Sequence, residues 1–462
     1  MQKITHVLTL IVLCWVVNNV HAQNTYTLDS TVLTSRTVID SIDIPWEITW
    51  GHDDYIWMTE RFGRVSRVNP QTGDQQVILD ISATVYDNSE SGLLGLALHP
   101  DFATNPYVYI VYTYLSGSNI LERLVRYTYN GSSLVSPLTL LDNITGNTTH
   151  IGSRLLILPD KTLLMSTGDA QSQSLPQNKN ALEGKILRMN LDGTVPADNP
   201  TPNSLVYAVG LRNTQGICRA PNGVVYLSEH GPTSDDELNL LIQDRNYGWP
   251  TVTGYCNTPP EINFCNANNV LEPIAAWTPT IAPSDLVWYN HSAIPEFNNK
   301  LLMTVLKDKE LIAFGFNAAG DSVVAEKAYL QNAFGRLRDI CISPSGKIYL
   351  ATNGASWNNT KPFTHSIVEL SNNAATAVKK HQAIVHQINI GPNPISVGQT
   401  LLVELPVGVT GHLTLSNVWG QPVLKQTLHQ QANFPISLLE GVYMWKVDFE
   451  DGSFRQGKLV VR

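Results

Sequence analysis

Six times along this chain an apolar run meets a short turn and a second apolar run follows. The pairs are EITW-GHDD-YIWMTE, LGLALHPDFATNPYVYIVYTY, RLLILPDKTLLMSTGD, GICRAPNGVVYLSEHG, LVWYNHSAIPEFNNKLLMTVLK and DICISPSGKIYLATNG. Their turns sit near His52, Pro100, Pro159, Pro221, Pro295 and Pro344, at intervals of 48, 59, 62, 74 and 49 residues. Runs rich in β-branched and aromatic residues, joined by Pro-Asp or Pro-Asn-Gly turns, are hairpins. A hairpin module recurring at this spacing is the signature of a β-propeller, and six modules predict six blades. A β-sandwich would explain alternating strands but not the recurring module.

Composition narrows the function. Charged residues are 15% of 462, well under the roughly 25% of an average domain, and 43% are apolar, which suits a folded β protein rather than disorder. The net charge of −9 makes nucleic acid an unsuitable partner, because polyphosphate binding needs clustered Lys and Arg. At the N-terminus Lys3 precedes HVLTLIVLCWVV, too short to span a bilayer, and then small residues at Val20-His21-Ala22. Residues 1–22 read as a secretory signal peptide, and no later run is long enough for a transmembrane segment. Export removes Cys14 and leaves Cys218, Cys256, Cys265 and Cys341 in an oxidising compartment, where Cys256 and Cys265, in a Pro/Asn-rich loop, are the expected bridge.

The repeat also predicts a site. The start of the first strand and the end of the second lie at the same end of a hairpin. Before the turns come Glu90, His150, Arg212-Asn213, Arg336 and Arg338; after them come Asp169, His230-Gly231-Pro232 and Lys307. All gather at one end of the six hairpins, around the central channel. Pairing across the turn at Pro159-Asp160-Lys161 sets residue 150 opposite 170, which makes Asp169 a neighbour of His150. A carboxylate beside an imidazole fixes its tautomer and stabilises the cation formed when it accepts a proton. Arg212, Lys307, Arg336 and Arg338 would converge in an otherwise acidic chain, an arrangement that calls for a polyanion, and guanidinium forks suit planar carboxylates. In Ser228–Glu237, Ser234 and Glu237 fit a capping box opening the run LNLLI. Gly231-Pro232 can expose carbonyls without offering a donor at the proline, and carbonyls are hard-cation ligands suited to calcium.

The segments GLLGLALHPDFATNPYVYIVYTY, RNTQG, SEHGPTSDDELNLL, RNYGWP and TIAPS resemble the soluble quinoprotein glucose/sorbosone dehydrogenases, from about Pro45 to Leu370. The resemblance implies a six-bladed propeller that uses pyrroloquinoline quinone (PQQ) and calcium to oxidise the anomeric hydroxyl of an aldose sugar to a lactone, with hydride passing to PQQ. It implies His150 in THIGSRL as general base and Asp169 in TGD as its partner. Arg212, Asn213, Thr280, Lys307, Arg336 and Arg338 fall on cofactor-binding positions, and the carbonyls of Gly231 and Pro232 on calcium ligands. Glu90 and Trp277 fall near substrate positions; Asp236 and Glu237 resemble an acidic pair beside the calcium loop. Glu90 departs from the Gln common in the family, and His230 likewise stands where Gln is usual. The loop between Trp249 and Trp277 looks short, so family dimer contacts and extra calcium sites near it are in question.

Residues 23–372 are thus expected to form the propeller and SNNAATAVKK to open a linker over 373–385. Over 386–462 short strands alternate, which suits a small β-sandwich. Its Pro-Asn-Pro opening, Gly-Val-Tyr and terminal Gly-Lys-Leu-Val-Val-Arg resemble the C-terminal sorting domain of type IX secretion. That implies a partner in the secretion machinery and release to, or anchoring at, the outer-membrane surface of a Gram-negative cell. A carbohydrate-binding sandwich is the competing reading of this tail, with Trp419 and Trp445 as its candidate aromatics. For the whole chain the competing functions are a non-catalytic glycan- or protein-binding propeller and a calcium-dependent sugar lactonase. The electron acceptor is not readable from the sequence.

Overall fold

The computed structural model describes residues 24–355, 365–372, 388–406, 409–449 and 454–462. The expected signal peptide and linker lie outside the described residues. The chain separates into two compact units, Met1–Ala375 and Thr376–Arg462.

The first unit is a propeller of six antiparallel sheets. Blades one to five each take four strands in chain order from the channel outward, beginning at Pro45–Trp50, Leu93–Leu98, Gly152–Ile157, Thr214–Arg219 and Pro283–Tyr289. Blade six begins at Leu337–Ile342 and continues through Ile348–Thr352 and His365–Ser371. Its outer edge is completed by Val32–Ile42 and Thr25–Thr27 from the other end of the unit. Pairing of Thr34 with Ser371 and Arg36 with Glu369 closes the ring, and in a propeller the edges that remain are short and protected. All six expected hairpins are the first two strands of a blade. Apolar side chains such as Trp57, Leu163, Tyr226, Phe314 and Leu350 are fully buried between blades, and this burial is the main favourable term for the ring.

One irregularity repeats in every blade. The register between first and second strands slips near the start of the first strand: between Pro45 and Glu47, Leu93 and Leu96, Gly152 and Leu155, Thr214 and Gly216, Pro283 and Leu286, and Leu337 and Asp339. A bulge re-aims the side chains it carries. The bulged residues include Trp46, Arg154, Gln215, Asp285 and Arg338, of which Arg154 and Asp285 meet Glu47 and Asp339 in the hub described below. The inner strands also approach closely: a Cβ at Gly95 would lie 2.0 Å from the Ser153 carbonyl of the next blade, so glycine is required there.

One expectation fails locally. Asp236–Leu240 is the third strand of blade four, not a helix behind a Ser234–Glu237 capping box. Its side chains pair across the sheet, and a run of five apolar-rich residues is too short for periodicity to separate strand from helix. The capping box belongs instead to Thr258 and Glu261, opening Pro259–Ala267, the single α-helix among the described residues. Cys256 and Cys265 are joined as expected, with S–S 1.96 Å, bridging the approach to this helix and its last turn. Cys218 and Cys341 are buried free thiols.

The second unit is a β-sandwich. A three-stranded sheet (Asn389–Gly391, Thr400–Glu404, Gln431–Pro435) faces a four-stranded one (Thr410–Ser416, Pro422–His429, Gly441–Phe449, Phe454–Val461). Leu401 and Val403 from the first share one core with Leu413, Leu415, Val447 and Leu459 from the second. Trp445 packs against that core, whereas Trp419 is 84% exposed. No helix among the described residues is long and apolar enough to cross a membrane.

Candidate active site

His150 ends the loop that enters the first strand of blade three, in a left-handed conformation with φ 58°. A non-glycine residue there is held by its surroundings. Its backbone N–H donates to Glu90 Oε2 at 2.9 Å, and its carbonyl accepts from Ala170 N at 3.2 Å. Its Nδ1 lies 2.8 Å from Asp169 Oδ1. The carboxylate assigns the proton to Nδ1 and leaves Nε2 as the acceptor. Arg212 Nη2 donates to that nitrogen at 3.0 Å.

Asp169 is 1% exposed. Burial alone would raise its pKa, but the hydrogen bond and charge of His150, the Gln171 N–H and the Trp249 indole together hold it below the usual carboxylate range. Its Oδ2 accepts from Trp249 Nε1 at 2.8 Å. The dyad is therefore an imidazole whose proton-bearing side is fixed and whose basic nitrogen faces a cation.

The three arginines share one electrostatic neighbourhood with Glu90 and His230, and Lys307 stands on an adjoining loop. Arg212 donates Nη1 to the His230 carbonyl at 3.0 Å and lies over the Trp249 ring at 5.4 Å. Its backbone N–H is accepted by the buried Glu229 carboxylate. Arg336 and Arg338 are each 6% exposed. Burial, then Arg336 beside it, pulls the Arg338 guanidinium down to about 9, with Glu90 opposing. Burial likewise lowers Arg336, with Glu90 opposing. Arg338 Nη1 donates to Gln215 Oε1 at 2.9 Å, and Gln215 Nε2 to Asn213 Oδ1 at 3.0 Å. Asn213 in turn accepts from Gly152 N at 3.1 Å and reaches Glu90 at 3.4 Å. Glu90 is thus a counter-ion among arginines that also holds the backbone of His150. Lys307 donates to the Thr280 carbonyl and, at 3.0 Å, to its hydroxyl.

The loop after the second strand of blade four carries Gly231 and Pro232. Gly231 N donates to Asp236 Oδ1 at 2.7 Å, while Asp236 Oδ2 accepts from Ile281 N at 2.6 Å and Ala282 N at 2.7 Å. A Cβ on Gly231 would meet the Ser234 carbonyl at 2.0 Å and that of Asp235 at 2.6 Å. The turn therefore curls tightly enough to crowd carbonyl oxygens together. His230 donates Nε2 to the Pro283 carbonyl at 2.6 Å, and burial drives its pKa down to about 4. Beneath the loop, burial raises Glu229 to about 8 and Glu237 to about 7. Among the described residues no group of three or more His, Cys, Asp or Glu side chains is arranged to hold a metal.

The structure brings His150, Asp169, Arg212, Asn213, Glu90, Arg336 and Arg338 into one hydrogen-bonded or electrostatic neighbourhood, with Gly231, Pro232, Thr280 and Lys307 on adjoining loops. Trp277 is placed apart: it ends the outermost strand of blade four, where its indole donates to Glu326 of blade five at 2.9 Å and its ring lies against Phe314. Reasoning from sequence missed two sets of residues. Trp249 lies 80 positions from Asp169, and only its tryptophan-proline turn marked it. Arg154, Glu47, Asp285 and Asp339 form a buried hub under the site. Arg154 Nη1 lies 2.5 Å from Glu47 Oε2 and 3.3 Å from Asp339 Oδ2, and Nε lies 3.4 Å from Asp285 Oδ1. Arg154 Nε also donates to the Gln215 carbonyl at 2.8 Å.

Residues 42–359 match the Glucose / Sorbosone dehydrogenase family. Quinoprotein glucose dehydrogenase B of Acinetobacter calcoaceticus is 30% identical over 432 residues, covering 74% of this chain and 90% of its own. The aldose sugar dehydrogenase of Escherichia coli strain K12 is 28% identical, covering 69% and 89%. Among solved structures, the PQQ-bound aldose sugar dehydrogenase of Streptomyces coelicolor superposes with a TM-score of 0.63 at 29% identity, over 73% of this chain and 98% of its own. With this match over most of its length and a six-bladed fold like that of its structural relatives, the chain belongs to the glucose/sorbosone dehydrogenase family.

Proposed function

We propose that this protein is a PQQ-dependent aldose dehydrogenase that oxidises the anomeric hydroxyl of a sugar to a lactone. The observation that carries the reading is the His150–Asp169 pair set among buried arginines. Nε of both Arg212 and Arg338 is buried and without a hydrogen-bond partner among the described residues. Such orphaned donors are costly in a closed protein and suit an anionic ligand. A planar tricarboxylate such as PQQ fits that donor set; Arg212, Asn213, Thr280, Lys307, Arg336 and Arg338 would hold it. When bound, PQQ supplies the two-electron acceptor.

The chain's own part is proton transfer. His150 takes the hydroxyl proton at Nε2, and Asp169 stabilises the imidazolium through Nδ1–H, a contribution of about 10²–10⁴ in rate. Arg212 must release Nε2 for this, so the contact with His150 and a contact with a ligand carboxylate compete for one guanidinium. Calcium would sit on the carbonyl oxygens of Gly231 and Pro232, neither of which accepts a hydrogen bond from a described residue, and would act there as a Lewis acid. Glu90, placed beside the base, would meet sugar hydroxyls as an acceptor only.

Secretion through the N-terminal segment, and sorting by the second unit to the exterior of a Gram-negative cell, remain part of the proposal and rest on the sequence. The exposed Trp419 is the one feature that favours glycan binding by that unit instead. The test is reconstitution: purified apo-protein receives PQQ and calcium, and sugar-dependent reduction of a dye is followed across several aldoses. Dye reduction that needs PQQ and a sugar supports the reading. PQQ binding or sugar binding without oxidation of any aldose would favour a binding propeller, and hydrolysis of a sugar lactone with calcium alone would favour a lactonase.

A further inference from the structure

We propose that Trp249 is a positioning residue that orients the base through both of its neighbours; this rests on the reading of His150 as the base. One indole touches the partner of each imidazole nitrogen. Its indole N–H donates to Asp169 Oδ2, while Oδ1 serves His150 Nδ1 and the Gln171 N–H, and its ring lies under the Arg212 guanidinium that faces Nε2. Trp249 is 7% exposed and is itself fixed from two sides. Its backbone N–H donates to the Gly210 carbonyl at 2.9 Å, and its backbone carbonyl accepts from Gln177 Nε2 at 2.7 Å. Gln177 is locked in turn to Asn246 by a reciprocal pair of 2.9 and 2.8 Å. Asp169 is too buried for water to replace a lost donor, so without the indole N–H one carboxylate oxygen has no partner. The carboxylate is then held only at Oδ1, by the Gln171 N–H and His150, and can pivot there, which loosens the constraint that keeps the imidazole proton on Nδ1.

Trp249→Phe keeps a ring beneath Arg212 and removes only the donor. The expected result is a fall in kcat of about 10–100-fold, the range for a hydrogen bond to a charged group, with KM for the sugar and the PQQ dissociation constant within about threefold of wild type. In an Asp169→Asn background the same substitution should cost under about threefold, because the two act as one unit. A readout independent of turnover is the ¹⁵N spectrum of selectively histidine-labelled apo-protein: His150 should be the Nδ1–H tautomer in wild type and a mixture in Trp249→Phe. Should Trp249→Phe fail to fold, Asp169→Asn must still shift the Trp249 indole resonance in the otherwise native protein. Unchanged kcat and tautomer, an equal loss in both backgrounds, or an unmoved indole resonance would each overturn the proposal. A wild-type protein that oxidises no sugar would instead remove the functional reading, while the tautomer measurement would still judge the role of Trp249.

Discussion

Replacing Arg154 by Met tests whether the hub beneath the site is a real electrostatic keystone. Arg154 comes from blade three, is 1% exposed, and meets Glu47 of blade one, Asp285 of blade five and Asp339 of blade six, with the Gln215 carbonyl of blade four as a fourth partner. At an effective dielectric near 20, each ion contact at this range amounts to roughly 5 kcal/mol before desolvation. Desolvation of the guanidinium cancels most of that sum, and removing one partner of a buried ion pair costs about 3–5 kcal/mol. Methionine leaves Glu47, Asp285 and Asp339 without the cation they share. Burial already raises Glu47 to about 8 against the pull of Arg154, and holds Asp285 well above the usual carboxylate range. Groups raised in this way take up protons on folding, so the stability they contribute is present at low pH and is lost as pH rises toward the folded value. Without Arg154 they rise further. Urea unfolding followed by tryptophan fluorescence should therefore show a deficit of about 3–5 kcal/mol at pH 8 and about half that or less at pH 5. A deficit under about 1 kcal/mol at pH 8, or one that is larger at pH 5, would refute the reasoning. Because Gln215 links Arg154 to Arg338, PQQ affinity should fall as well.

Three further substitutions probe the site itself. His150→Ala should lower kcat by about 10²–10⁴-fold with PQQ still bound, as judged by cofactor titration beside steady-state rates; normal turnover would remove His150 from the mechanism. Arg338→Met should weaken PQQ binding by about 10–100-fold yet raise the midpoint of thermal unfolding of the apo-protein, since it relieves a buried cation beside Arg336; a lower apo midpoint would contradict the account of the cluster. Gly231→Ala drives a methyl group into the Ser234 carbonyl, so calcium-dependent reconstitution should be lost while the far-ultraviolet spectrum is kept. Reconstitution at the wild-type calcium concentration would show that this turn is not the ion site.

The wheel and the gathering of His150, Asp169 and the arginines at one end of it were legible in the residues, because strand, turn and strand recur six times and a hairpin returns its ends to one place. Register across a short turn even paired His150 with Asp169, since separation in a hairpin is set by local geometry. The family resemblance added PQQ and the roles proposed above. Three matters were beyond local pattern. A bulge leaves no periodic mark, so the turning of Arg154, Gln215 and Asp285 into the buried hub could not be read. The Ser-x-x-Glu spacing before LNLLI is satisfied equally by a helix start and a strand, and cross-strand pairing chose the strand. Trp249 reaches Asp169 only because two neighbouring blades bring their loops together, just as Trp277, near the site by sequence match, is drawn to Glu326 of the adjacent blade. Repetition along the chain determines what is built and how often. Contacts between blades, whose partners lie tens to hundreds of residues apart, decide which side chains meet at the axis.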